Sequence, residues 1–134
     1  MTNPTTIRRF EQGDIVVAFL PFNPQPKLGE APPRGSVKIG GLWGKRRPTV
    51  VVSAGRFNRA DDLLVALISS EVEKARQRGE YVLRHRTVTR LREESAVRPR
   101  LHQIVKDDVQ GDLGALHDDD RRGMLEMLRE LLGL

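Results

Sequence analysis

Gly13 to Phe22 reads GDIVVAFLPF, Pro48 to Ala54 reads PTVVVSA, and Leu63 to Ser69 reads LLVALIS. These three runs decide the fold class. Each is short, rich in β-branched and apolar residues, and bounded by glycine, proline or a turn segment such as Asn58 to Asp62, which is the signature of a mostly buried strand. Three consecutive valines, Val50 to Val52, imply burial on both faces of a sheet. Weaker strands are expected at Glu80 to His85, Ser95 to Arg98 and Leu101 to Val105, the last two separated by Pro99. The charged stretch Glu71 to Arg78 fits a helical turn or a loop equally well. With so little helix between strands, crossover connections for a parallel sheet are ruled out. The expected fold is mainly β, a small antiparallel barrel with one helix packed at its end.

That helix closes the chain. Met124, Leu125, Met127, Leu128, Leu131 and Leu132 fall within an arc of roughly 160° at 100° per residue, with Glu126, Arg129 and Glu130 opposite. Asp118 to Asp120 offer capping carboxylates at its start, and Gly133 ends it. Residues 23–47 hold Pro24, Pro26, Pro32, Pro33, Gly35, Gly40, Gly41 and Gly44, and are expected as one long flexible loop. There are no internal repeats, and residues 1–134 read as a single domain. The acidic segment Asp107 to Asp120 reads as a solvated turn leading into the helix cap.

The chain carries 23 Lys plus Arg against 18 Asp plus Glu, a net charge of +5. The excess is localised: from Arg34 to Arg59 there are seven basic side chains and no acid. A basic centre with an acidic far end suits a polyanionic partner met by one face. Cysteine is absent, which excludes disulfides and thiolate metal sites. No apolar run reaches signal-peptide or membrane-span length, so a cytoplasmic location without a membrane partner is expected. His85, His102 and His117 lack metal-ligand spacing, so no metal and no cofactor are expected. His102 lies on a strand, as a surface residue or as an acid–base group near neutral pH.

Gly13-Asp14-Ile15-Val16, then Gly40-Gly41 followed by Arg47-Pro48 and valines ending in Ser53, then Leu67-Ile68-Ser69-Ser70, then Ser95 to Arg98 and the apolar terminal helix, occur in an order that resembles the MazF/PemK family of toxins. The resemblance spans about Gly13 to Leu132. It implies an SH3-like barrel, a homodimer, cleavage of single-stranded RNA at short sequences, and inhibition by a cognate antitoxin protein. It also implies metal-independent chemistry, in which the RNA's 2′-hydroxyl attacks the adjacent phosphate to leave a cyclic phosphate and a 5′-hydroxyl. The family's catalytic Arg falls on Arg47 and its catalytic Thr on Ser69. A fixed guanidinium suits the charge that builds on phosphate oxygens in the transition state, and a hydroxyl can donate to the same oxygens.

Lys45, Arg46, Arg56, Asn58, Ser70 and Arg98 are the further candidate RNA contacts. Trp43 could stack on a base or plug the barrel mouth. The chain departs from the family in its first loop, which is longer and lacks the usual His-Glu-Gln step, and at two residues. Ser69 lacks the methyl that restricts a threonine rotamer. Within Ala96-Val97-Arg98-Pro99-Arg100, Arg98 is kept but Arg100 stands where relatives carry an acid. These departures leave a non-catalytic RNA-binding or antitoxin-binding barrel as the alternative reading.

Overall fold

In this computed structural model, residues 9–134 are described. The elements run β1 (Asp14–Pro21), β2 (Val37–Ile39), β3 (Leu42–Val51), β4 (Asp62–Ser69), α1 (Val72–Gln77), β5 (Tyr81–Val82), β6 (Ala96–Val105), β7 (Val109–Ala115) and α2 (Asp118–Leu131). All strand pairs are antiparallel, in the order β5-β6-β4-β3-β1-β7, with β2 paired to β3.

Successive side chains of a strand point to opposite faces, and here both faces are covered. Ile15, Val50 and Ala66 join one apolar cluster, which Met124 and Leu128 of α2 seal. Val16, Val51 and Val65 join the other, with Phe10, Leu63 and Ile104. Full burial of each such side chain contributes about 1.5–3 kcal/mol, so the three strands that decide the fold also supply much of its stability.

The ladder is open between β5 and β7, its two ends. The segment after β5 bridges this seam: the Arg90 N–H donates to Leu113 O (2.9 Å) and its guanidinium to Asp112 O (3.0 Å). Asp120, in the first turn of α2 and only 1% exposed, binds the same segment. Its Oδ1 accepts from Tyr81 Oη (2.7 Å) and the Arg84 N–H (2.9 Å), and its Oδ2 accepts from the His85 N–H (2.9 Å).

Five expectations need correction. Residues 23–47 are not one flexible loop, because β2 and the first half of β3 lie within them. Gly40 (φ 57°) and Gly41 (φ 81°) form a two-residue turn with both residues left-handed, the hairpin geometry that glycine adopts at no steric cost. Gln25 pins the preceding loop by donating to Phe22 O (2.7 Å) and Trp43 O (2.8 Å) and accepting the Trp43 N–H (2.8 Å). The candidates on either side of Pro99 are one strand, β6, because the proline falls where the β4–β6 register shifts between Ala66 and Ile68. Part of the acidic segment is β7, paired with β1. The cap of α2 is His117, whose Nδ1 accepts the Asp119 N–H (3.0 Å), while Asp120 turns inward. The Glu80 to His85 strand keeps only Tyr81 and Val82, because the chain beyond them turns toward Asp120.

Candidate functional site

β3 and β4 pair Val51 with Val65, Val50 with Ala66 and Thr49 with Leu67. Carried two residues on, that register sets Arg47 across from Ser69, and neighbouring strands lie about 4.8 Å apart. Both side chains line one cleft of about 620 Å³. Pro48 sits at its floor beside Leu67 and Ile68, and Ser70 and Arg98 share its wall.

Arg47 is exposed, and its guanidinium makes no hydrogen bond or ion pair with the described residues, so its donors face the cleft uncommitted. Ser69 is half-buried, and its Oγ accepts the Glu71 N–H (3.1 Å). That contact orients the hydroxyl while leaving its proton free to donate. Arg98 is fixed differently. The β5–β6 register pairs Tyr81 with Val97, so the next position sets Glu80 against Arg98. Arg98 Nε lies 3.3 Å from Glu80 Oε1, with side-chain exposures of 24% and 9%. The pair holds one edge of the guanidinium and leaves the other toward the cleft.

Among the expected residues, the structure therefore gathers Arg47, Ser69, Ser70 and Arg98. The others lie elsewhere. Lys45 and Trp43 extend outward along β3 on the strand face of Arg47, by period-two alternation. Trp43 is half-buried beneath Lys38, whose Nζ lies 5.8 Å from the ring centroid. Arg46, one residue from Arg47, points to the opposite face and donates to Gln110. Arg56 stacks on Phe57 at 4.5 Å and lines a separate pocket with Arg9 and Arg59. It sits in the β3–β4 connection, at the far end of those strands. Asn58 lies in the same connection and is 3% exposed. Its amide donates to Phe10 O and Ser53 O (both 2.9 Å), a structural role that leaves nothing for a ligand. His102 is half-buried on β6 opposite Val65 and lines no part of the cleft.

Three charged cleft residues escaped the sequence reading: Glu71, Arg92 and Glu93. Arg92 and Glu93 follow a connection whose path depends on tertiary contacts, and no periodicity marks them. Glu80 was equally silent, being one of several acids in a charged stretch.

A second group of titratable side chains lies at the seam between β5 and β7. His85 and His117 stack with ring centroids 4.0 Å apart. His85 Nε2 is 3.1 Å from Asp119 Oδ2, and His117 Nδ1 is 3.6 Å from the same oxygen. The Asp119 carboxyl is held below its ordinary range, chiefly by the hydrogen bond from Arg122 and further by His117 and His85. Among the described residues, these three are the group of His and carboxylate donors that could hold a metal ion.

No curated protein matches the chain. Among solved structures it is similar to an endoribonuclease in complex with its cognate antitoxin from a mycobacterial species, with TM-score 0.64, 13% identity, and 96% of this chain and 97% of that one covered. It is also similar to a chain of the MazE–MazF structure (form II) from Deinococcus radiodurans (TM-score 0.65, 16% identity, 95% and 98% covered). A third similar structure is the toxin MazF-mt6 of Mycobacterium tuberculosis (TM-score 0.59, 15% identity, 89% and 97% covered). At these identities the likeness speaks for the fold, which is the MazF-like antiparallel sheet with a C-terminal helix. The family model described as PemK-like, MazF-like toxin of type II toxin–antitoxin system matches residues 11–132, and the chain belongs to that family.

Proposed function

We propose that this MazF-family toxin is an endoribonuclease that cleaves single-stranded RNA at short sequences, by attack of a 2′-hydroxyl on its own 3′-phosphate. The observation that carries this reading is the convergence of Arg47 and Ser69, from adjacent strands, on one cleft. In the reaction the 2′-oxygen gives up its proton and bonds to phosphorus, the bond to the 5′-oxygen breaks, and that oxygen takes up a proton from solvent. The products are a 2′,3′-cyclic phosphate and a 5′-hydroxyl. Charge accumulates on the non-bridging oxygens, where a guanidinium and a hydroxyl held in place stabilise it without reorganising at the moment of reaction. Arg stays protonated at ordinary pH, so Arg47 acts as an electrostatic clamp. Glu71 and Glu93 line the cleft as carboxylates, and Glu71 is engaged by Lys74 at 3.6 Å. Glu93 is thus the freer group to take the 2′-hydroxyl proton in a chain whose Arg100 supplies no acid there.

Arg98, and Lys45 and Trp43 further along β3, extend the surface over which an RNA strand would lie. Trp43 and Arg47 are four residues apart on one strand, roughly 13 Å, a span of about two nucleotides. Phosphate contacts of this kind make binding salt-sensitive, while base choice comes from stacking and edge contacts. The partners in this reading are the RNA, a second protomer, and a cognate antitoxin that fills the groove with acidic and apolar side chains. Leu131, Leu132 and Leu134 at the exposed end of the chain support a protein–protein contact there.

Arg47→Ala tests the site: cleavage in a chelator should fall by about 10²–10³-fold, the usual effect of losing one preorganised charge-stabilising group. Ser69 in place of threonine and Arg100 in place of an acid favour a second reading, a barrel that binds RNA without cutting it. Salt-sensitive binding of the unaltered chain with no cleavage at any enzyme concentration would establish that second reading.

A further inference from the structure

We propose that His85, His117 and Asp119 form a binding site for a zinc-class divalent cation that staples the barrel seam, away from the RNA cleft. The chain has three histidines, and folding brings two of them from 32 residues apart into ring contact at 4.0 Å. A tetrahedral ion with bonds of about 2.0–2.2 Å needs donor atoms about 3.3–3.6 Å apart. The two measured separations to Asp119 Oδ2, 3.1 Å from His85 Nε2 and 3.6 Å from His117 Nδ1, bracket that requirement. All three donor atoms lie within 4.8 Å of one another.

The surroundings fix the ligands as a built site does. The His85 N–H is bound by Asp120 Oδ2 at 2.9 Å, so His85 is anchored to the first turn of α2 by a buried carboxylate. Asp119 Oδ1 accepts from Arg122 Nη2 at 2.8 Å, which orients the carboxylate and leaves Oδ2 toward the histidines. The Arg122 contact is of the kind that holds a ligating carboxylate in place, while the Asp120 contact holds the main chain of His85 and leaves its ring free to turn. Two nitrogens and one carboxylate oxygen suit zinc and its neighbours among divalent ions, with a fourth position left to water.

Three terms oppose binding. The two imidazoles, stacked at 22° to one another, must splay so that the ion lies in both ring planes. The positive end of α2 and the Arg122 guanidinium both repel a cation. The Nδ1 lone pair of His117 that caps the helix must also turn from the Asp119 N–H to the ion. Together they weaken the site relative to a closed four-ligand structural zinc site. The consequence is mechanical. His85 follows β5 and His117 follows β7, the two strands whose outer edges no ladder joins among the described residues. An ion held there ties the open seam shut, and stabilises the folded chain in proportion to occupancy.

The test is calorimetric titration of the full chain with Zn²⁺ alone in a non-chelating buffer. One ion per chain should bind, and His85→Gln and His117→Asn should each weaken binding at least tenfold. Asn is itself a favoured helix cap, so the second variant removes the ligand while keeping the fold. At a free Zn²⁺ of 100 Kd the unfolding equilibrium constant should fall about 100-fold, and His102→Gln should change neither result. Absence of saturable binding overturns the proposal, as does weakening by less than tenfold in either variant.

Discussion

Asp120 is the side chain whose removal tests the architecture most sharply. It is 1% exposed and accepts three hydrogen bonds, from Tyr81 Oη, the Arg84 N–H and the His85 N–H, at 2.7–2.9 Å. In Asp120→Asn, Oδ1 can still accept from Tyr81 and Arg84, but the new amide NH₂ faces the His85 N–H, donor against donor. One charge-assisted bond is lost outright and two become neutral. Bonds to a charged acceptor contribute about 1.5–3 kcal/mol and neutral ones about 1 kcal/mol, so one bond lost and two weakened by about 0.5–2 kcal/mol each should cost about 2.5–7 kcal/mol. Tyr81→Phe removes one such bond and leaves the carboxylate two, so it should cost about 1.5–3 kcal/mol. Against a total stability of about 5–15 kcal/mol both effects are readily measured. Equilibrium urea unfolding gives both from the shift in midpoint at unchanged slope. An Asn variant within 0.5 kcal/mol of the unaltered chain, or a Phe variant costing as much as the Asn variant, would refute the view that this carboxylate ties α2 to the seam.

Glu80→Gln should lower cleavage efficiency by about tenfold, the scale of one positioning contact, while Arg98→Ala makes the same change at position 80 silent; additive effects in the double variant would contradict the coupling. Gly123→Ala, normally worth about 1 kcal/mol of helix stability, should instead destabilise, because the new Cβ would collide with the Tyr81 ring; a raised melting temperature would show that the ring yields freely. Tyr81 is the single tyrosine of the chain, and burial, then its hydrogen bond to Asp120, raise its pKa well above the ordinary value of 10.0. A folded pKa above the unfolded one gives a stabilisation that is complete below about pH 10 and lost as the pH climbs through and past that value. The folded chain should show no phenolate absorbance near pH 10 while the urea-unfolded chain does, and a folded-state transition at pH 10 would overturn the assignment.

How much of this was legible in the residues depends on what each feature rests on. Val50 to Val52 and Leu63 to Ser69 declare buried strands because their pattern is local, and they frame Ser69 at the end of β4 and Arg47 within β3, just before its buried run. β7 was hidden because VQGDLGA has little β-propensity: two glycines and an aspartate, carried by pairing with β1 and by a register shift between Asp14 and Val16 that Gly114 (φ 90°) accompanies. The Gly40–Gly41 pair was a usable hairpin signal, masked by the prolines before it. Asn58 looked like a polar loop residue, and only the fold shows its amide facing inward to Phe10 O. Glu80 and the His85–His117 pair depend on register and on packing across the seam, which spacing along the chain cannot express.

The central claim is that Arg47 and Ser69 act together on one phosphodiester. Its most direct measurement is end-group mapping of a mixed-sequence RNA incubated with the chain in excess chelator. Discrete cuts should bear 2′,3′-cyclic phosphate and 5′-hydroxyl ends, be reduced by about 10²–10³-fold with Arg47→Ala, strongly reduced with Ser69→Ala and retained with Ser69→Thr. Cuts bearing 5′-phosphates, or an unchanged cleavage pattern in the Arg47→Ala protein, would contradict the claim.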